Sequence, residues 1–227
     1  MTHPDTSVPH LSATERTTIR RGAKRARADR SELHALLDDA LICHLGVQID
    51  GVPRVLPTAF ARCGETLYLH GSTGARSLRE AVVDQEVCVT VTEVDGIVYG
   101  RATMHHSMNY RCAVTYGRPR LVDTAEERWA ALRALTEHLS PGSWDYARRP
   151  NRKELAKTSV VALPLDEASV KSRAGAPGDD EDDIEADVAW AGVLPSHRTW
   201  GAPVTTPDLR SDIPVPHHVT TRAKAHP

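Results

Sequence analysis

The sequence predicts an α+β fold: a six-stranded antiparallel split β-barrel with flanking helices and an extended C-terminal tail. Three observations point there. Strand-like apolar runs follow one another closely, turn residues Asp50-Gly51 and Gly64 separate the first three, and only two helical patterns interrupt the series.

Residues 16–30 carry seven basic side chains and few apolar ones, so residues 1–30 form a basic, solvated or loosely packed arm. No aromatic residue is interleaved for base stacking, which disfavours nucleic acid as its partner. A short helix follows, with Ser31 as the expected N-cap and Leu33, Leu36 and Leu37 as its apolar stripe. The strand runs are LICHLGVQ, VPRVLPTAFAR, TLYLH, VCVTVTEV, NYRCAVTYGRPRLV and SVVALPL. In VCVTVT, Val87, Val89 and Val91 share one face while Cys88, Thr90 and Thr92 share the other, the period of a half-buried sheet. Helices are expected over residues 76–84 and 125–138, the second from Trp129, Leu132 and Leu135 at helical spacing. The domain therefore spans residues 31–168. From Ser169 the chain turns acidic, with seven carboxylates in SVKSRAGAPGDDEDDIEAD, and then Pro-rich. Residues 169–227 read as a flexible connector and a stiffened tail laid over a surface.

With 28 basic and 30 acidic residues, net charge argues for neither nucleic acid nor a membrane surface, so any anion site is local. The N-terminus MTHPDTSVPH is polar and no apolar run nears the ~20 residues that cross a bilayer, so a cytoplasmic protein is expected. Cys43, Cys63, Cys88 and Cys112 form no CxxC pair and read as reduced, mostly buried thiols. His105 and His106, taken as adjacent strand residues, point to opposite sides, which disfavours joint metal ligation, and no metal site is expected.

The chemistry concentrates in YLHGSTGARSLREA, residues 68–81, and in the strand bearing Asn109, Tyr110 and Arg111. Leu67 and Leu69 face one side and Tyr68 and His70 the other, which sets an imidazole beside the turn Gly71-Ser72-Thr73-Gly74. Ser72 or Thr73 can cap the following helix, and Arg76 and Arg79 share a face near its start. A phosphate there would receive backbone N–H bonds, a hydroxyl and arginine bonds of about 1.5–3 kcal/mol each. The strand offers side chains to the edge of a planar heterocycle, so the two blocks together read as a flavin mononucleotide (FMN) site. On spacing alone an ordinary capped helix with solvated arginines explains the turn as well, because GSTG is neither a Walker loop nor a GxGxxG fingerprint. Arg111 lies on a face of small residues, where it must be paired or near the barrel mouth.

The succession VLPTAFAR, LYLHGSTGARSLREA, VCVTVTEVDGIV, HHSMNYRCAVTYGRPRLV, VVALPLDEASVKSRAGAP and AWAGVLP resembles the flavin-nucleotide-binding branch of the pyridoxamine phosphate oxidase superfamily, which includes nitroimidazole reductases. The resemblance implies a split barrel holding FMN non-covalently at a homodimer interface. It implies phosphate-side contacts from His70, Gly71, Ser72 and Arg76, with Arg79 a second candidate. It implies main-chain contacts to the isoalloxazine from Pro57, Thr58 and Ala59, and an approach by Asn109, Tyr110 and Arg111 from the same or the partner subunit. Relatives commonly carry serine where this chain has Cys112. His70 is the catalytic candidate, at the reactive flavin face. The implied activity is an oxidoreductase that takes electrons from NAD(P)H or another donor and reduces a small electron-poor molecule. Alternatives are a flavin carrier or sensor without turnover, and the same fold holding a deazaflavin or haem.

Overall fold

The structure is a computed structural model that describes residue 11, residues 14–210 and residues 212–224; the polar stretch from Met1 to His10 lies outside them. In chain order the elements are β1 (Ala26–Arg27), α1 (Arg30–Asp39), β2 (Ile42–Ile49), β3 (Val52–Cys63), β4 (Thr66–Ser72), α2 (Arg76–Ala81), β5 (Val87–Tyr99), β6 (Ser107–Gly117) and β7 (Arg120–Leu121). There follow α3 (Ala125–Leu139), α4 (Ser143–Tyr146), α5 (Arg152–Lys157), β8 (Thr158–Pro164), β9 (Glu167–Arg173), α6 (Glu181–Ala186), β10 (Gly192–Pro195) and α7 (His217–Lys224). The sheet runs β1-β9-β6-β5-β2-β3-β4-β8-β7, with β10 added to β5. All the pairings are antiparallel.

Local chemistry sets the meander from β2 to β4. Asp50 and Gly51 both take positive φ, 54° and 71°, the two-residue turn whose twist matches its strands, and Gly64 at 56° turns β3 into β4. Alternation then separates two cores. Leu45, Phe60, Leu67, Leu69, Val89 and Leu163 point inward with the α1 stripe Leu33, Leu36 and Leu37. Each such buried side chain contributes about 1.5–3 kcal/mol by leaving water. The opposite parity of β4 and β8, Tyr68, Val160 and Ala162, packs outward against Ala131, Leu132 and Leu135 of α3 and Trp144 of α4. Thr124 caps α3 by accepting the Glu127 N–H at 3.3 Å, and Asn151 and Glu154 form a capping box on α5.

Several expectations are revised. The sheet has ten strands, not six, because β1, β9 and β10 join it and the fifth run splits into β6 and β7. The acidic connector begins with β9, whose Ala168 and Val170 are buried against β6. Asp29, not Ser31, occupies the N-cap position of α1, and α2 stops at Ala81. The arm is tied down at Arg16, which pairs with Glu86 at 2.6 Å and with Glu167 and lies 4.8 Å from the centroid of the Tyr116 ring. Of the four free thiols, Cys63 is exposed, whereas burial pushes Cys43 up to about 12. After β9 the chain returns to β5 through β10, and Arg198 bonds the Asp39 carbonyl at 2.7 Å and its carboxylate at 2.9 Å.

Candidate functional site

Over β2 and β5, one outer face of the sheet carries no helix among the described residues. Along β2, Ile42, His44 and Gln48 are exposed between the buried Cys43, Leu45 and Val47. Opposite them on β3 stand Ala59, Pro57 and Pro53, and on β5 Thr90 faces His44 while Cys88 faces Gly46. Small and flat side chains thus pave this face, and Val55 beside them is 69% exposed. Pro57 and Ala59 belong to the paving, while Thr58 has the inner parity and sits across from the buried Cys43.

His70 stands where this open face meets the half covered by α3. Along β4 the outward residues run from Tyr68, buried with its hydroxyl on Glu127 at 2.9 Å, through half-buried His70 to exposed Ser72. The β3–β4 register ends with Phe60 opposite Leu69, and Ala59, the preceding residue of β3, pairs with Ile42 of β2 instead. Across β8, His70 pairs with Val160. The His70 Nδ1 is buried and has no hydrogen-bond partner, and burial lowers its pKa from 6.5, which keeps the ring neutral at neutral pH.

Gly71 opens the turn because a Cβ there would stand 2.8 Å from Leu78 Cδ1. Ser72 does not cap α2: its hydroxyl accepts the Gly74 N–H at 3.1 Å, and Ala75, with no side-chain bond to offer, holds the N-cap position. Arg76 is exposed and pairs with Asp50, with Glu80 at 3.5 Å, so its charge is engaged by carboxylates. Arg79 is exposed and has no polar partner among the described residues. The turn is therefore a polar, basic rim whose more available cation is Arg79.

The second block does not join this rim within one chain. β6 lies three strands from β3 in the order β6-β5-β2-β3, about 14 Å at ~4.8 Å per strand. Tyr110 and Cys112 share the open parity, half-buried, with burial raising the Cys112 thiol. Asn109 and Arg111 take the other. Asn109 is buried, donates to the Gly175 carbonyl at 3.2 Å and accepts from Arg173. Arg111 is paired with Asp95 at 2.8 Å and Asp39 at 3.0 Å, which satisfies the demand for a partner. Both side chains thus brace the barrel end and the tail rather than standing free for a ligand.

Two features escaped the sequence reading. His44 projects from the open face beside Pro57, a position the alternation of LICHLGVQ already implied. His105 and His106 lie at the end of and just after a short 3-10 turn, not in a strand. His105 meets Asp179 at 3.4 Å, Asp180 at 3.7 Å and Asp183 at 3.8 Å. His106 accepts the Gly100 N–H on Nδ1 at 2.9 Å.

Among the described residues, no helix is long and apolar enough to cross a membrane. Comparison with curated proteins gives no match. Among solved structures, the flavocytochrome Anf3 from Azotobacter vinelandii is 34% identical, with a TM-score of 0.86 over 92% of this chain and 97% of that one. The FAD and haem binding protein from Mycobacterium smegmatis is 35% identical, with a TM-score of 0.83 over 87% and 97%. A protein described as a 5-nitroimidazole antibiotic resistance protein from Bacteroides thetaiotaomicron shares the fold at 22% identity and a TM-score of 0.57, over 65% and 86%. The family model for pyridoxamine 5'-phosphate oxidase matches residues 29–172, from the residue before α1 into β9, which is the barrel itself. With that match and relatives a third identical along nearly their whole length, the chain belongs to the pyridoxamine 5'-phosphate oxidase family.

Proposed function

We propose that this protein is a flavin-dependent redox protein that also binds haem, working as a homodimer. The carrying observation is the match to two relatives described as a flavocytochrome and as an FAD and haem binding protein, each covered over 97% of its length. That description favours FAD over the FMN expected from sequence. The residues fit such groups: a flat face of Pro57, Ala59 and Thr90 adjoins a polar turn with a free arginine and an orphaned imidazole. A planar ring can lie on the small residues, and a phosphate can meet Arg79 and the turn's backbone N–H groups. Arg76 would contribute only by releasing Asp50 and Glu80.

Dimerisation is favoured because the Tyr110–Cys112 segment and the His70 turn lie on distant strands of one sheet, and a second copy laid on the open face would bring them together. Exposed Ile42, Val52 and Val55 supply apolar surface for that contact.

A bound flavin supplies two-electron chemistry and haem one-electron chemistry, with the protein left to bind, orient and shield. Pro57 and Ala59 would hold the flavin ring, while the outer parity of β4 aims His70 and Tyr68 beneath α3 fixes that strand. NAD(P)H is the proposed donor, and a small electron-poor molecule the proposed acceptor. The free thiols suit the cytoplasm. The test is extraction and mass identification of the chromophores after expression with added haem precursor, alongside reconstitution with FAD and FMN. Flavin and haem together support the reading, and a colourless protein that binds neither refutes it.

A further inference from the structure

A hollow separate from the flavin face lies where α3 turns into α4, walled on its other side by the tail at Trp200 and Pro203 and by α7. Its volume is about 250 Å³, just below the roughly 300–1,000 Å³ of drug-sized sites, so it suits a small molecule. None of its lining residues belongs to the His70 turn, to Pro57–Ala59 or to the Tyr110–Cys112 segment. Pro141, Trp200, Pro203, Val219 and Ala223 make most of the wall apolar. The polar groups set into that wall are the Ser140 and Ser143 hydroxyls, His218 and Arg222.

Arg222 is the unusual member. Arginines elsewhere in the fold find carboxylates: Arg62 has Asp38 at 2.6 Å, Arg120 has Glu127 at 2.6 Å, and Arg198 has Asp39 at 2.9 Å and Glu93 at 3.5 Å. Arg222 has no carboxylate partner among the described residues. It is half-buried, donates to the Leu139 carbonyl at the end of α3, and holds its guanidinium carbon 4.1 Å from the centroid of the Trp200 ring. Burial, and then the like charge of Arg198, lower its pKa, yet a guanidinium keeps its proton in a protein. One carbonyl and one ring face therefore position this cation without neutralising it. A partly dry charge left so is costly, and an anion entering the hollow offsets that cost.

The wall also selects the kind of anion. An inorganic anion would meet mostly hydrocarbon, and a neutral apolar molecule would leave Arg222 unmatched. A tetrahedral dianion would call for a second cation, but the charge of Arg198 is already taken by Asp39 and Glu93. A planar carboxylate matches the guanidinium fork, and the Ser143 hydroxyl, 3.5 Å from the His218 Nε2, stands in the same wall as a further donor. We propose that this hollow binds a small organic monocarboxylate, its carboxylate on Arg222 and a serine hydroxyl and its apolar body against Pro141, Pro203 and Val219. Such a ligand touches both the end of α3 and the tail, so it clasps the tail to the barrel domain.

The test uses the protein with its own cofactors bound. Benzoate is titrated by calorimetry beside acetate, benzamide and inorganic phosphate, with cofactor absorbance and limited proteolysis of residues 196–224 followed in parallel. Benzoate should bind saturably and at least tenfold more tightly than the other three, slow cleavage of the tail and leave the cofactor spectrum unchanged. Arg222→Gln keeps a donor for the Leu139 carbonyl but loses the charge, and should weaken benzoate at least tenfold. Should that variant release the tail, seen as faster cleavage without ligand, Ala223→Leu keeps Arg222 and fills the hollow, and should weaken benzoate to the same degree. Benzamide or phosphate binding as tightly as benzoate, absence of saturable benzoate binding, or affinity unchanged in either variant overturns the proposal. Benzoate that shifts the cofactor spectrum and is insensitive to both variants places it in the cofactor site and overturns the proposal too, while flavin and haem binding stand or fall on the chromophore analysis alone.

Discussion

Gly71→Ala tests whether the turn after β4 depends on close backbone approach. The added Cβ would stand 2.8 Å from Leu78 Cδ1, inside van der Waals contact, and Leu78 is only 5% exposed in the inner core. Either Leu78 leaves its rotamer or the turn and α2 move outward together, and overpacking of this kind costs about 1–3 kcal/mol. Leu78→Ala alone should cost about 2–5 kcal/mol through the cavity it leaves. The double variant recovers the space, so its loss should fall short of the sum by at least about 1 kcal/mol. Urea unfolding monitored by circular dichroism, with the slope held equal across the four proteins, measures each term. Flavin affinity should fall in Gly71→Ala and return in part in the double variant, because the phosphate rim rides on α2. Costs that add to within about 0.3–0.5 kcal/mol would show that the contact does not govern the turn.

Three further outcomes are expected. Glu167 is held at about 2, below its usual 4.5, first by its bonds from Arg16 and then by Thr14. The native state therefore keeps it ionised where the unfolded chain takes up a proton: its contribution is full above pH 4.5 and is lost as pH falls toward 2, and Glu167→Gln should flatten the stability profile in that window in acid titrations. Gly96→Ala would place a Cβ 2.8 Å from the Leu194 carbonyl and 3.2 Å from Pro195 Cα, so β10 should detach and limited proteolysis should cut residues 190–200 faster, whereas an unchanged cleavage rate would mean that β10 does not depend on that contact. Arg79→Ala should weaken flavin binding at least tenfold, about 1.4 kcal/mol, while Asp50→Asn should strengthen it by freeing Arg76; flavin titrations insensitive to both would place the phosphate elsewhere.

Much of the barrel was legible because alternation is a local signal. The inward and outward sets of VCVTVT, TLYLH and the strand from Asn109 all stand as read, and Asp50-Gly51 and Gly64 turn the chain where expected. β9 was lost because seven carboxylates dominate the window from Ser169, hiding a short alternation in which Ala168 and Val170 face the core. The Asn151–Glu154 capping box was present in the sequence and marks a helix too short for a periodic stripe. At the site, residue types were readable but adjacency was not. Nothing local reveals that Arg111 finds Asp95 and Asp39, or that His70 comes to lie opposite Val160 of β8.

The position of His70 follows from an asymmetry in how the sheet is covered. α3 supplies one apolar stripe, and Leu132 and Leu135 spend it on the outward side of β4 and β8. β2, β5 and the part of β3 before Ala61 receive no such cover, so their outward residues must tolerate water or await another surface: His44, Gln48, Pro57 and Thr90 lie there, with Ile42 and Val55 exposed beside them. A strand that passes from the first half to the second must carry its outward side chains from dry to wet, and β4 does so over Tyr68, His70 and Ser72. The middle position is the one where a titratable ring is dry enough to stay neutral and open enough to meet a ligand. Extending α3 coverage beyond Ala61 along β3 would bury that ring, and shortening α3 would solvate it. The length of one helix therefore sets the chemistry available to a residue on the strand beneath it.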